Sequence, residues 1–125
     1  MATGTIIAES IRMGATLDAA PLTVRAIERV APTNIAQGQR DAGIPPEWTL
    51  LHFDVADADA GSLAEALAAV LGDVGWYADF HTEQETFVVF TGRVFRYRTE
   101  DADGRAAAEA YAREHGVPDA QIDWP

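Results

Sequence analysis

Cysteine is absent from this 125-residue chain. That absence excludes disulfides, thiol catalysis, cysteine-type zinc sites and iron–sulfur clusters. Lysine is absent as well: all nine basic side chains are arginine. With its many alanines, this is the composition that a GC-rich bacterial genome produces. No stretch approaches the ~20 apolar residues of a membrane span. The opening residues, MATGTIIAES, carry neither the basic region nor the apolar run of a signal peptide, so a cytoplasmic location is expected. Missing too are a Walker A loop, G-x-G-x-x-G, G-x-S-x-G, H-E-x-x-H and an EF-hand loop. No cofactor and no tightly bound metal are therefore expected, since two strand histidines without cysteine make a thin ligand set.

Positive charge is missing from one region in particular. Residues 41–91 hold ten acids and no arginine, and the formal net charge of the whole chain is -11. Such a surface repels nucleic acid and anionic membranes, and favours a basic protein partner or simple solubility. Within that third, Asp57, Asp59, Glu83 and Glu85 fall in expected loops and turns, which project into solvent. They are the candidate partner-binding residues.

Length and a 48% apolar composition describe one globular domain spanning residues 1–125. Residues 5–12 read as a short strand. Residues 22–30, LTVRAIERV, fit either a strand or a helix, with strand favoured by the β-branched content. Residues 31–47 carry three prolines and two glycines and read as a long loop, of the kind that is usually functional. Residues 48–55, WTLLHFDV, alternate as a strand, with Phe53 and Val55 on the core side and His52 and Asp54 on the other. A helix is expected over 62–71, capped by Ser62 with Glu65. A hairpin of 76–81 and 86–98 follows, and Gly92 interrupts its second strand as a bulge or bend. A last helix over 104–115 is capped by Asp101 or Asp103 and stopped at Gly116, and Trp124 in the tail is expected to dock on the body. The whole predicts an α+β fold: a mostly antiparallel sheet with two helices on one face, in the approximate order β-β-β-α-β-β-α.

Chemistry-bearing residues concentrate on the strands. If His81 pairs with Thr86, then Tyr77, Asp79 and His81 share one face and Phe80, Phe87 and Val89 take the other, with Trp76 among them. Should strand 48–55 lie nearby, His52 and Asp54 join that set, which suits acid–base chemistry or a divalent ion. Arg96 and Arg98, interleaved with Phe95 and Tyr97, could hold an anionic group or pair with carboxylates. The candidate ligand-binding residues are thus His52, Tyr77, Asp79, His81, Arg96 and Arg98. Trp48, Tyr77, Phe90, Phe95 and Tyr97 exceed what two helices on one face can cover, and with unpaired sheet edges they suggest a homodimer.

Two functions follow. One is an accessory module that binds another protein. The other is a small-molecule binder, or a small cyclase or isomerase, with a pocket between the sheet and the 31–47 loop. A cavity of ~300 Å³ or more containing His52 or Arg96 favours the second.

Overall fold

The computed structural model describes residues 1–18, 21–73 and 75–125. Its strands are β1 (Ala2–Ile7), β2 (Leu22–Val30), β3 (Trp48–Val55), β4 (Ala78–His81), β5 (Glu85–Phe90) and β6 (Arg93–Arg98). The helices are α1 (Gln37–Asp41), α2 (Asp57–Val70) and α3 (Ala102–Glu114). Among the described residues the strands form one antiparallel sheet in the order β2-β3-β1-β4-β5-β6. The α+β class and the antiparallel sheet are as the sequence predicts.

β1 lies at the centre. Its Thr and Ile residues suit a pleated, half-buried surface. At Gly4 it approaches β4 closely: a Cβ there would overlap the Cβ of Phe80 and lie 2.5 Å from the Asp79 carbonyl oxygen. The missing side chain leaves a gap that Phe53 and Phe80, one strand away on either side, fill with an edge-to-face contact at 5.8 Å. Phe87 stacks on Phe80 at 4.9 Å, and Leu63 and Leu67 of α2 close this layer from above.

The helices do not share a face, which corrects the expectation. α2 covers the face of Phe53, Phe80, Phe87 and Val89, whereas Ala108 and Ala112 of α3 pack on Val88, Phe90 and Tyr97 of the other. The cause is in β5. Its run Phe87-Val88-Val89-Phe90 is apolar on both sides, and such a strand needs cover on both. α3 supplies it and so covers Phe90, Phe95 and Tyr97, which two helices on one face would have left exposed.

Other boundaries move for identifiable reasons. α2 begins at Asp57, not Ser62, because Ala56-Asp57-Ala58-Asp59 favours a helix start in which Asp57 and Asp59 meet the positive end of the helix dipole. Ser62 therefore lies inside the helix and caps nothing. Residues 86–98 divide into β5 and β6 at Thr91-Gly92. Gly92 takes φ +70 and its amide donates to Ala68 O at 2.9 Å, so it makes a turn instead of a bulge. The first strand starts at Ala2 and yields to a 3₁₀ turn at Ala8–Ser10. The Gln37–Asp41 helix sits within the expected 31–47 loop. Residues 22–30 are a strand, paired with β3 from Leu22↔Val55 to Val30↔Trp48 and bulged at Arg25. Asp101 caps α3, accepting the amides of Asp103 and Gly104.

Phe53→Ala should cost about 3–5 kcal/mol in urea denaturation, because the ring is wholly buried in the α2 core against Phe80. A loss below about 1 kcal/mol would mean that the other face of β3 carries the core. Gly4→Ala should cost about 3 kcal/mol by forcing β1 and β4 apart, and an unchanged midpoint would show that the strands can yield there.

Candidate functional site

α3 covers only the β5–β6 half of its face. Over the other half the chain between β2 and β3 folds back, and its Ile35 and Ile44 cover Trp48 in a small separate core that includes Ile7 and Trp76. Trp76 stands against Trp48 at 5.5 Å, so it belongs to this face and not to the α2 core expected for it. Between this loop and the α3 side lies a half-open cavity of about 420 Å³.

The register of the sheet builds the cavity floor. Thr5 of β1 stands opposite His52 of β3 on one side and opposite Asp79 of β4 on the other. Two residues along, Thr3 stands between Asp54 and His81 in the same way. All six side chains emerge on the same face. His52, Asp79 and His81 therefore share a surface, but β1 runs between the histidines, and two strand spacings put β3 and β4 roughly 10 Å apart. Among the described residues no group of three such side chains is close enough to hold a metal ion.

The row has a definite hydrogen-bond order. Thr5 Oγ1 lies 2.8 Å from His52 Nδ1, and His52 Nε2 lies 2.9 Å from Glu28 Oε1. Glu28 thus orients the imidazole from the sheet edge. Asp54 is engaged by Arg25, whose bulged position also lets it donate to Thr3 Oγ1 at 2.9 Å. Asp79 is different: half-buried, it accepts no side-chain hydrogen bond among the described residues. Burial, and then the nearby Asp123 carboxylate, push its pKa up to about 7.

The C-terminal segment forms the remaining wall. Trp124 is buried against Tyr77, 5.1 Å between ring centres, and so fixes the chain on either side of it. The Tyr77 hydroxyl donates to the Gln121 carbonyl and lies 3.1 Å from Asp123 Oδ1. Burial, with the carboxylates of Asp123 and Asp79, raises the pKa of this phenol, so it remains protonated at neutral pH. Gln121 and Gln39 form a buried reciprocal amide pair, 3.1 Å in each direction, and Gln121 Nε2 also donates to Asn34 O. The pair clips the 31–47 loop to the tail across the cavity rim.

Four of the six candidate ligand residues, His52, Tyr77, Asp79 and His81, stand on this face, and the first, second and third line the cavity. Arg96 and Arg98 do not join them. Both point to the α2 side of β6, where Arg96 makes a bidentate pair with Glu85 over the Phe87 ring and Arg98 pairs with Glu100. Alternation in β6 separates them from Tyr97, which faces α3. Thr5, Trp76, Gln121 and Asp123 line the cavity although the sequence reading assigns none of them there.

Comparison with protein-family models, characterised proteins and solved structures finds no match.

The acidic candidates gather at the opposite end of the sheet. Asp57 and Asp59 open α2 just after β3 ends, and Glu83 sits in the turn after β4 ends at the same edge. Asp57 accepts the Met1 amine at 3.0 Å, and Arg96 holds Glu85 below the usual carboxylate range by a direct hydrogen bond. A second cavity, of about 460 Å³, lies on the α2 side between β2–β3 and residues 11–18. Its walls are mainly apolar, with Leu17, Leu22, Leu51 and Phe53 among them. No helix among the described residues is long and apolar enough to cross a membrane.

Asp79 makes stability depend on pH in a defined direction. In the unfolded chain it titrates near the ordinary ~3.9, and in the fold near 7, so between those values the folded state binds the extra proton. Its contribution to stability is therefore lost as pH rises from about 4 to about 7. Asp79→Asn removes that penalty. The variant should match the parent near pH 4 and exceed it by about 4 kcal/mol at pH 8 in denaturant titrations. A constant difference at both pH values would remove Asp79 as the source.

Proposed function

We propose that this chain binds a small molecule in the cavity between the 31–47 loop, the sheet and the C-terminal tail. The observation that carries this reading is the cavity itself. A volume of about 420 Å³ falls within the range of ordinary ligand sites, ~300–1,000 Å³. Its composition is that of such a site: Trp48, Trp76 and Leu50 give apolar walls, and Thr5, His52 and Asp79 converge as a polar floor. Polar groups on a rigid sheet can orient a ligand, while the loop above can adjust to its shape. An acid titrating near neutrality, facing the same cavity as an imidazole oriented two strands away, also suits proton transfer to and from a ligand held between them, as an isomerase or cyclase would use.

A second reading, docking of a basic protein at the acidic end, is supported by the shared position of Asp57, Asp59 and Glu83. It would proceed by electrostatic steering and weaken with salt. Two of its four carboxylates are already paired within the chain, and so the cavity is the better-supported site.

A fragment library screened by two-dimensional NMR tests the main reading. Hits should shift the Trp48 and Trp76 indoles and the amides of Thr5, His52 and Asp79 together. Trp76→Ala should weaken them by about tenfold or more. Hits that scatter over the surface, or that leave both indoles unmoved, would overturn it.

A further inference from the structure

The chemical class of the ligand can be read from the charges around this cavity, on the condition that the cavity is a ligand site. Two carboxylates, Asp79 and Asp123, line it, and among the described residues no arginine does. On the neighbouring strand Arg25 is committed to Asp54 and Thr3 and Arg29 to Thr49 and Glu47, and Arg40 of the 31–47 loop is exposed and does not line the cavity. The one lining side chain that can carry positive charge, His52, has both ring nitrogens engaged, by Thr5 and by Glu28. An anion entering here would meet two like charges and no free donor of opposite sign. A neutral ligand would leave the Asp79 carboxylate in place without a counter-charge, which half-buried groups tolerate poorly. A cation removes that deficit. The walls add to this, because Trp48, Trp76 and Tyr77 line the cavity, and aromatic rings attract ammonium groups.

We infer that the ligand is an organic cation, a protonated amine or a quaternary ammonium compound, with its charge between Asp79 and Asp123 and its apolar part against Trp48 and Trp76. A bare metal ion is a poor fit, since the carboxylates are not joined by a third close ligand among the described residues. The ammonium group of an organic cation needs fewer direct ligands and gains from the aromatic walls.

Three probes with a common benzyl body separate charge from shape: benzyltrimethylammonium, benzyl alcohol and phenylacetate. Binding is followed at pH 8 through the Trp48 and Trp76 indole signals. Benzyltrimethylammonium should bind saturably and about tenfold or more tighter than benzyl alcohol, with no saturable shift from phenylacetate. Asp79→Asn should lower the affinity for the cation about tenfold and leave that for the alcohol unchanged. Asp123→Asn, on the exposed segment, should act in the same direction and serves as the control if the first variant is poorly folded. The cation carries no titrating group, so its weaker binding at pH 5 would report on the protein. Asp123, Tyr77, Tyr97, His52 and His81 also surround Asp79, and only the part of the pH effect that Asp79→Asn abolishes belongs to Asp79. If the alcohol or phenylacetate binds as tightly as the cation, the inference falls while the cavity remains a ligand site. If no probe of any charge saturates the indole shifts, both fall.

Discussion

Every backbone hydrogen bond that joins the two halves of this sheet passes through one short strand. β3 and β4 do not touch each other through their backbones; each pairs with β1, which comes from the other end of the sequence neighbourhood and inserts between them. The insertion has a steric condition, met by Gly4, because a side chain there would collide with Phe80. It also has a chemical consequence on the opposite face. The odd-numbered residues Thr3 and Thr5 become the middle of two polar rows, and the rows bring Asp54 and His52 of one half toward His81 and Asp79 of the other. A slip of one residue in β1 would send Thr3, Thr5 and Ile7 toward the α2 core and Ile6 onto the cavity floor. Core and site thus depend on the same register.

The cavity stays open because its roof and walls are fastened at the rim and not across the floor. The Gln39–Gln121 pair is buried and satisfied in both directions, so opening it would leave Gln39 Nε2 and Gln121 Oε1 without a partner. Trp124 anchors the tail on the side of α3, and Ile35 and Ile44 anchor the loop on Trp48. Gly75, at φ +84, lets the chain before Trp76 pass close to the Gln39 amide, where a Cβ would come within 2.9 Å of Nε2. Three segments distant in sequence therefore meet around a space that none of them fills.

Much of the frame was legible because it rests on local rules. WTLLHFDV alternates with period two, LTVRAIERV is bounded by Pro21 and Pro32, and Asp101 with Gly116 marks the ends of α3; these elements were found with small shifts or none. The pairing of His81 with Thr86 also follows from the turn chemistry of 82–85, where Thr82 Oγ1 accepts two backbone amides. What escaped the sequence was set by partners far away. Nothing local to Phe87–Phe90 says which helix will cover each side, although an apolar run without alternation is itself the mark of a strand covered twice. Arg96 and Arg98 looked like partners for Tyr77 and His81 only while β5 and β6 were read as one strand; the turn at Gly92 leaves them on the far face. Tyr77, Asp79 and His52 could be placed on faces by alternation, but Thr5, Gln121 and Asp123 enter the site through strand order and tail docking, which periodicity does not encode. The one available signal was the terminal Trp124, whose docking had to bring its neighbours to the body as well.

The electrostatics of Asp79 connect these levels. A carboxylate at that position destabilises the fold once ionised, and a neutral residue would serve the sheet better. The surrounding groups do nothing to relieve it: Asp123 adds a like charge, and the Tyr77 hydroxyl is turned to the Gln121 carbonyl. Other strand and helix acids are relieved, with Asp54, Glu85 and Glu109 each matched by an arginine. Asp79 differs from the exposed unpaired acids in being half-buried beside aromatic walls, where water relieves its charge least and the proposed cation would relieve it most. Residues held away from their own stability optimum are characteristic of functional sites. Here the departure falls in the same cavity that the sheet register, the amide clip and the docked tail combine to keep open.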